Sequence, residues 1–212
     1  MYIPRLFHEN NWPEIKKVIE ENSFATVISC SAGEPAATHV PLRLIESADG
    51  TAKLQGHVSK ANPHWRYLEQ NPQCLTIFHG PHAYVSASNY VTRENVPTWN
   101  YGAVHVHGSA RTFASPEELQ GVLHQLIGTF EPAYAEQWAS LGESYRERML
   151  SHIVGIEIAV TKIEAKFKLS QNRTRDEQAN VIASLAKAED TAVSGVSRLM
   201  REQGLGVKKE AE

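Results

Sequence analysis

Between residues 25 and 113 the apolar residues recur at every second position in short bursts, broken at strand-like intervals by clusters of Gly, Pro, Asn and Asp such as SAGEP and SADG. The period predicts strands at 25–30, 37–45, 52–57, 74–79, 83–86 and 101–113, and a last long strand where Val154, Ile156, Ile158 and Val160 alternate with smaller or polar residues. So many short strands in one run point to an antiparallel barrel or sandwich, which the last strand is expected to close.

Helices interrupt this pattern at places with clear start signals. Asn11, Pro13 and Glu14 open the first, with Ile15, Val18 and Ile19 as its apolar stripe. Asn62 and Pro63 open a short second one. Ser115 to Glu118 form a capping box ahead of Leu119, Val122, Leu123, Leu126, Ile127 and Phe130, a face that must cover a sheet. A Trp- and Glu-bearing stretch before residue 154 reads as irregular. Two helical patterns follow at 174–187 and 190–202, and the charged KKEAE end reads as frayed. With 212 residues and no linker rich in Gly, Ser or Pro, we expect a main β domain over 1–170 and a helical appendage over 171–212.

Composition narrows the function. Lys and Arg number 21 against 24 Asp and Glu, a net charge of −3, so nothing in the overall balance asks for a nucleic-acid partner. No apolar run approaches the roughly 20 residues that cross a bilayer, and the amino terminus lacks the apolar stretch of an export signal, so we expect a cytoplasmic protein without membrane contact. Cys30 and Cys74 have no metal-type spacing and read as two buried thiols. Walker, Rossmann, nucleophile-elbow and zincin motifs are absent from the sequence.

Three stretches carry chemistry. In GHVSKANPHW, at 56–65, a strand ends at His57, Ser59 and Lys60 follow, and a helix opens; a hydroxyl, an ammonium and unpaired N–H groups at a helix start make a phosphate cradle. An ordinary strand-to-helix turn with an exposed lysine explains the same residues. In VPTWNYGAVHVHG, at 96–108, Trp99 and Tyr101 can flank a flat ring and Asn100 offers a donor and an acceptor to its edge; an aromatic core contact is the alternative. His105 and His107 share a strand face, and His79 and His82 flank a Gly-Pro pair, but neither couple has the third and fourth ligands a metal needs, so no metal site is expected. In KFKLSQNR, at 166–173, cations among amides suit a phosphate, a ring carbonyl, another subunit or plain solvent.

The blocks MYIPRLF, ATHVPL, GHVSKANPHW, FHGPHAYVS, VPTWNYGAVHVHG, IVGIEI and KFKLSQNR, in this order, closely resemble the PaiB family of FMN-binding negative transcriptional regulators, over nearly the whole chain. The resemblance implies a mainly β fold with α elements, a split β-barrel like that of pyridoxamine phosphate oxidase with peripheral and C-terminal helices. It implies a homodimer with FMN at the subunit interface, and a link to repression of sporulation and extracellular protease production. It places Ser59 and Lys60 at the flavin phosphate, beside the helix-opening Asn62, and Thr38, His39 and His57 beside the isoalloxazine and ribityl groups. Lys168, Ser170, Gln171 and Asn172 resemble the late flavin motif of such folds, contributed by the partner chain, with Trp99 and Asn100 near the ring. The arginine-rich phosphate contacts and substrate-phosphate residues of the oxidases are thin here, with Lys60 the main cation of its block.

Alternatives from the same residues are a flavin-dependent oxidoreductase, with His39, His57 or His105 supplying a proton, and a haem-binding split barrel with His79, His82, His105 or His107 as axial ligands. Direct DNA binding would fall to the helix near 191–202, whose apolar stripe of Val193, Val196, Leu199 and Met200 more simply packs inward.

Overall fold

A computed structural model describes residues 1–207; the KKEAE end, 208–212, lies outside the described residues. A 3₁₀ turn at Arg5–Phe7 leads to β1 (His8–Glu9) and α1 (Trp12–Glu21). Then come β2 (Phe24–Ser31), β3 (Glu34–Pro41), β4 (Arg43–Glu46), β5 (Ala52–Ser59), α2 (His64–Gln70), β6 (Gln73–Val85) and β7 (Thr98–Phe113). The chain continues through α3 (Pro116–Phe130), α4 (Tyr134–Ser140), α5 (Glu143–Leu150), β8 (Ile153–Lys168), α6 (Arg175–Leu185) and α7 (Thr191–Glu202). It divides into a sheet unit, Asn22–Phe78 with His105–Ile163, and a helical unit, Met1–Glu21 with His79–Val104 and Glu164–Glu212. The strands β6, β7 and β8 each contribute residues to both.

The strand order is β3-β2-β6-β7-β8-β5-β4, with β1 beside β8. In the sheet unit the β2–β3 hairpin turns at Ala32 and Gly33, both at positive φ, and sets Thr38 opposite Val27 and His39 opposite Thr26. The antiparallel β5–β8 pair sets His57 opposite Gly155 and Ser59 opposite Ile153. Alternation works as the sequence predicts: Ala25, Val27, Leu54, Val58, Ile156 and Ile158 face inward and are essentially solvent-free. The capping box of α3 forms, Ser115 accepting from the Glu118 N–H, and Leu119, Val122 and Leu126 pack on Phe113 and Leu150. Phe130, expected on that face, is 54 % exposed. Gly155 must be small: a Cβ there would sit 2.2 Å from the Phe113 ring.

Several expectations are corrected. The stretch at 131–153 is not irregular but carries α4 and α5, whose two turns each and mixed polarity leave little apolar period to detect. Cys74 is buried, its thiol pushed up to about 11 by burial, but Cys30 is exposed near the end of its strand.

Residues 74–79 and 83–85, expected as parts of two strands, belong to one strand, β6, which runs straight through Gly80 and Pro81. Gly80 acts there as a close-approach residue, since a Cβ would come within 3.0 Å of the Gly102 carbonyl oxygen on β7. The apolar side of α7 is buried at Val196, Leu199 and Met200, with Leu199 lying over Gly102 and Phe167 beside it. The α6 capping box between Thr174 and Glu177 is complete.

Candidate functional site

The sequence-predicted residues fall into two clusters, one in each unit. In the sheet unit, Thr38 on β3 is a junction: its hydroxyl accepts from Asn62 Nδ2 at 3.1 Å and pairs with His64 Nδ1 at 2.8 Å. The other ring nitrogen of His64 meets Ser29 Oγ at 2.8 Å, so an imidazole only 3 % exposed bridges β2 and β3. Burial lowers its pKa. His39 pairs with Thr26 Oγ1 at 2.9 Å and lies against Phe24. His57, on β5, is half-buried; burial lowers its pKa, and its Nδ1 is a buried polar atom with no partner among the described residues.

The loop from β5 to α2 differs from the expected cradle of unpaired amides. The Lys60 N–H donates to the His152 carbonyl, Ala61 to Ser59 Oγ, Asn62 to the Ser59 carbonyl, and His64 to Asn62 Oδ1. Those donors are spent on acceptors of the loop itself and of His152, and they fasten the loop instead. The Trp65 indole N–H, on the Lys60 carbonyl at 3.0 Å, fixes it further. Two groups remain for an anion. The Lys60 ammonium has no partner among the described residues, and the Ser59 hydroxyl, which only accepts here, keeps its O–H to donate. A second cation sits in the same block: the Arg66 guanidinium lies 4.4 Å over the Trp65 ring.

In the helical unit, Asn100 is fully buried and exchanges hydrogen bonds with Ser170 Oγ at 2.9 and 3.2 Å. This pairing holds Ser170 at φ +66, a conformation non-glycine residues rarely adopt. Lys168 donates to Thr98 Oγ1 and to the Trp99 carbonyl. Its pKa is lowered by desolvation first and by Lys166 and Arg173 after it. Gln171 turns back on its own strand, accepting from the Leu169 N–H and donating to the Phe167 carbonyl. Trp99 is half-exposed and packs on His82 and edge-on to Tyr84. Asn100, Lys168, Ser170 and Asn172 line one cavity of about 320 Å³; Trp99 and Gln171 are not among its walls.

Sequence reasoning missed His64, Ser29, Arg66 and the cavity's Tyr90. His64 carries no local signal, since only the β2–β3 register brings Ser29 and Thr38 to its two nitrogens. His105 and His107 both engage other groups, and no cluster of three metal-ligating side chains exists among the described residues. No helix among them is long and apolar enough to cross a membrane.

Comparison with known proteins starts from a family described as "Putative FMN-binding domain", whose model matches residues 1–162. The chain belongs to this family. It is 40 % identical over 96 % of its length to "Protease synthase and sporulation protein PAI 2" of Bacillus subtilis, PaiB, and covers 98 % of that protein. Two solved structures share the fold at a TM-score of 0.60 and 15 % identity: the FAD and heme binding protein of Mycobacterium smegmatis, over 76 % of this chain and 73 % of that one, and the flavocytochrome Anf3 of Azotobacter vinelandii, over 78 % and 72 %. The fold is thus the mainly antiparallel split barrel with helices that the sequence resembles.

FMN is the cofactor of the family, and the side chains fit it. A free ammonium and a spare hydroxyl, Lys60 and Ser59, suit a phosphate, and the partnerless buried Nδ1 of His57 suits a polar ligand atom. Nothing in the donor set conflicts with a flavin.

Proposed function

We propose that the chain is a cytoplasmic, homodimeric negative transcriptional regulator that binds FMN at its subunit interface. The observation that carries this is the 40 % identity, end to end, with a protein named for protease synthesis and sporulation. In this reading Ser59 and Lys60 hold the phosphate, while Thr38, His39 and His57 border the ring and ribityl chain. Asn62 acts through Thr38 and the α2 turn to keep that loop in place. The partner copy contributes the late motif: Lys168 and Asn172 face the ligand with Trp99, and Asn100, Ser170 and Gln171 keep that turn in its strained shape. Residues 171–212 act as an appendage to the flavin domain of 1–170. When bound, FMN supplies a redox-active ring; the protein's part is to anchor the anionic end and orient the ring.

Titration of the purified protein with FMN, followed by flavin fluorescence, tests the reading. Saturable binding that weakens on Lys60→Ala supports it, and unchanged affinity in that variant removes it. Direct DNA binding would fall to α7, where Arg198 is engaged by Glu21 at 2.9 Å; a gel shift without salt-dependent retardation would leave regulation to a partner protein instead.

A second reading, an FMN-dependent oxidoreductase, is favoured by the partnerless His57 Nδ1, placed to hold or pass a proton. Steady NADPH oxidation by the FMN-loaded protein would select it. A Soret band in the absorption spectrum would select the haem-binding alternative, which the haem-binding neighbours keep in view.

A further inference from the structure

The cavity at the late motif has more to offer than the flavin reading uses. Its walls include the apolar Phe7, Val96 and Pro97 together with Lys168, Arg173 and Tyr90. Tyr90 is 7 % exposed, and its hydroxyl is buried with no partner among the described residues, although a buried phenol nearly always finds one. Arg173 lies 3.8 Å over the Tyr90 ring and spends one N–H on Asn95 Oδ1 at 2.6 Å. Of its five donors four remain, and Lys168, with two of three used, keeps one. No carboxylate lines the cavity among the described residues. Glu177, which faces Arg173, is itself held by the Val91 and Thr174 N–H groups. The volume of about 320 Å³ is at the small end of organic-ligand pockets.

Resting on the flavin reading above, we propose that this cavity binds a small organic carboxylate, its head on Arg173 and the Tyr90 hydroxyl and its apolar body against Phe7, Val96 and Pro97. Such a molecule is the effector of a flavin-binding regulator or the substrate of a flavin enzyme. Phe7, Tyr90 and Arg173 lie outside the flavin set, so the two ligands can be separated by mutation.

The test uses the full chain and benzoate as probe, measured by calorimetry with and without FMN, with inorganic phosphate as a parallel arm. Saturable benzoate binding is expected, weakened about tenfold or more by Arg173→Gln and by a smaller factor in Tyr90→Phe, which removes only the hydroxyl and leaves the stacked ring. FMN affinity is expected to stay unchanged in both variants. Should Arg173→Gln fail to fold, as a thermal melt would reveal, Tyr90→Phe carries the test alone. Absence of benzoate binding overturns the proposal, as does binding of phosphate alone. Equal loss of FMN and benzoate in both variants overturns it too, by making the cavity part of the flavin pocket. Lys60→Ala separates the two failures: unchanged FMN affinity there sinks the flavin reading while the benzoate arm still stands or falls by itself.

Discussion

The two clusters use a lysine in opposite ways. Lys60 stands on a loop whose backbone amides are all engaged internally, and its ammonium has no partner among the described residues. Lys168 is partly desolvated and already donates to Thr98 and to the Trp99 carbonyl. A cation left unpaired on a stiff support is an anion contact in waiting; one spent on protein acceptors is chiefly architecture with a remaining donor. The lesson is that a basic side chain in a ligand motif has to be weighed by its unspent donors, not by its charge.

Four experiments break or sharpen that contrast. The largest effect on stability is expected at the architectural cluster. Asn100→Leu strands the buried Ser170 hydroxyl and should lower unfolding stability by about 2 kcal/mol, read from the urea midpoint. A midpoint that does not move would make the cluster a ligand site only.

Lys60→Ala should behave in the reverse manner. Loss of a charge-assisted contact to phosphate is worth about 1.5–3 kcal/mol, or roughly ten- to a hundredfold in FMN affinity, with the melting temperature unchanged. A variant that melts early with normal affinity would swap the roles of the two lysines.

The third concerns the bridge under the Lys60 loop. Burial depresses the pKa of His64, so the unfolded chain takes up its proton first as pH falls. The contribution is therefore intact above the unfolded value of about 6.5 and is lost as pH drops through it toward the lower folded pKa. Melting temperatures from pH 8 to 5 should fall on the acid side, and His64→Gln should flatten that slope; the part that survives belongs to His57, whose pKa is lowered for the same reason.

The smallest effect compares two residues at positive φ. Ala32 sits at φ 52 in the β2–β3 turn, and Ala32→Gly should stabilise the protein by up to about 1 kcal/mol. Ser170→Gly relieves the same strain but deletes the hydroxyl that Asn100 holds, so its net effect should be a loss. Equal gains in both would mean that the Asn100 pair contributes nothing.

Much of the sheet was legible because period-two alternation is a local property. The inward sets of β2, β5 and β8 follow from the order of apolar residues alone. The start of α3 and the positions of α6 and α7 were written in neighbouring residues as well. By contrast, α4 and α5 went unread because two-turn helices with few buried residues hardly differ from a loop in pattern. Gly80 and Pro81 look like a turn in one dimension; the Gly102 backbone lying against Gly80 is what a longer side chain there would have to displace.

By itself, then, the sequence determined a mainly β chain, where its strands face and the family it belongs to, since each of these depends on the order of residues along the chain. Only the tertiary structure decided which polar groups are spent. That the Lys60 ammonium has no partner among the described residues while its neighbouring amides do, that His64 reaches both Ser29 and Thr38, and that Tyr90 and Arg173, 83 positions apart, line one cavity are matters of hydrogen-bond bookkeeping across distant strands. A donor has no partner until the chain folds, and the order of residues does not say which one it will meet.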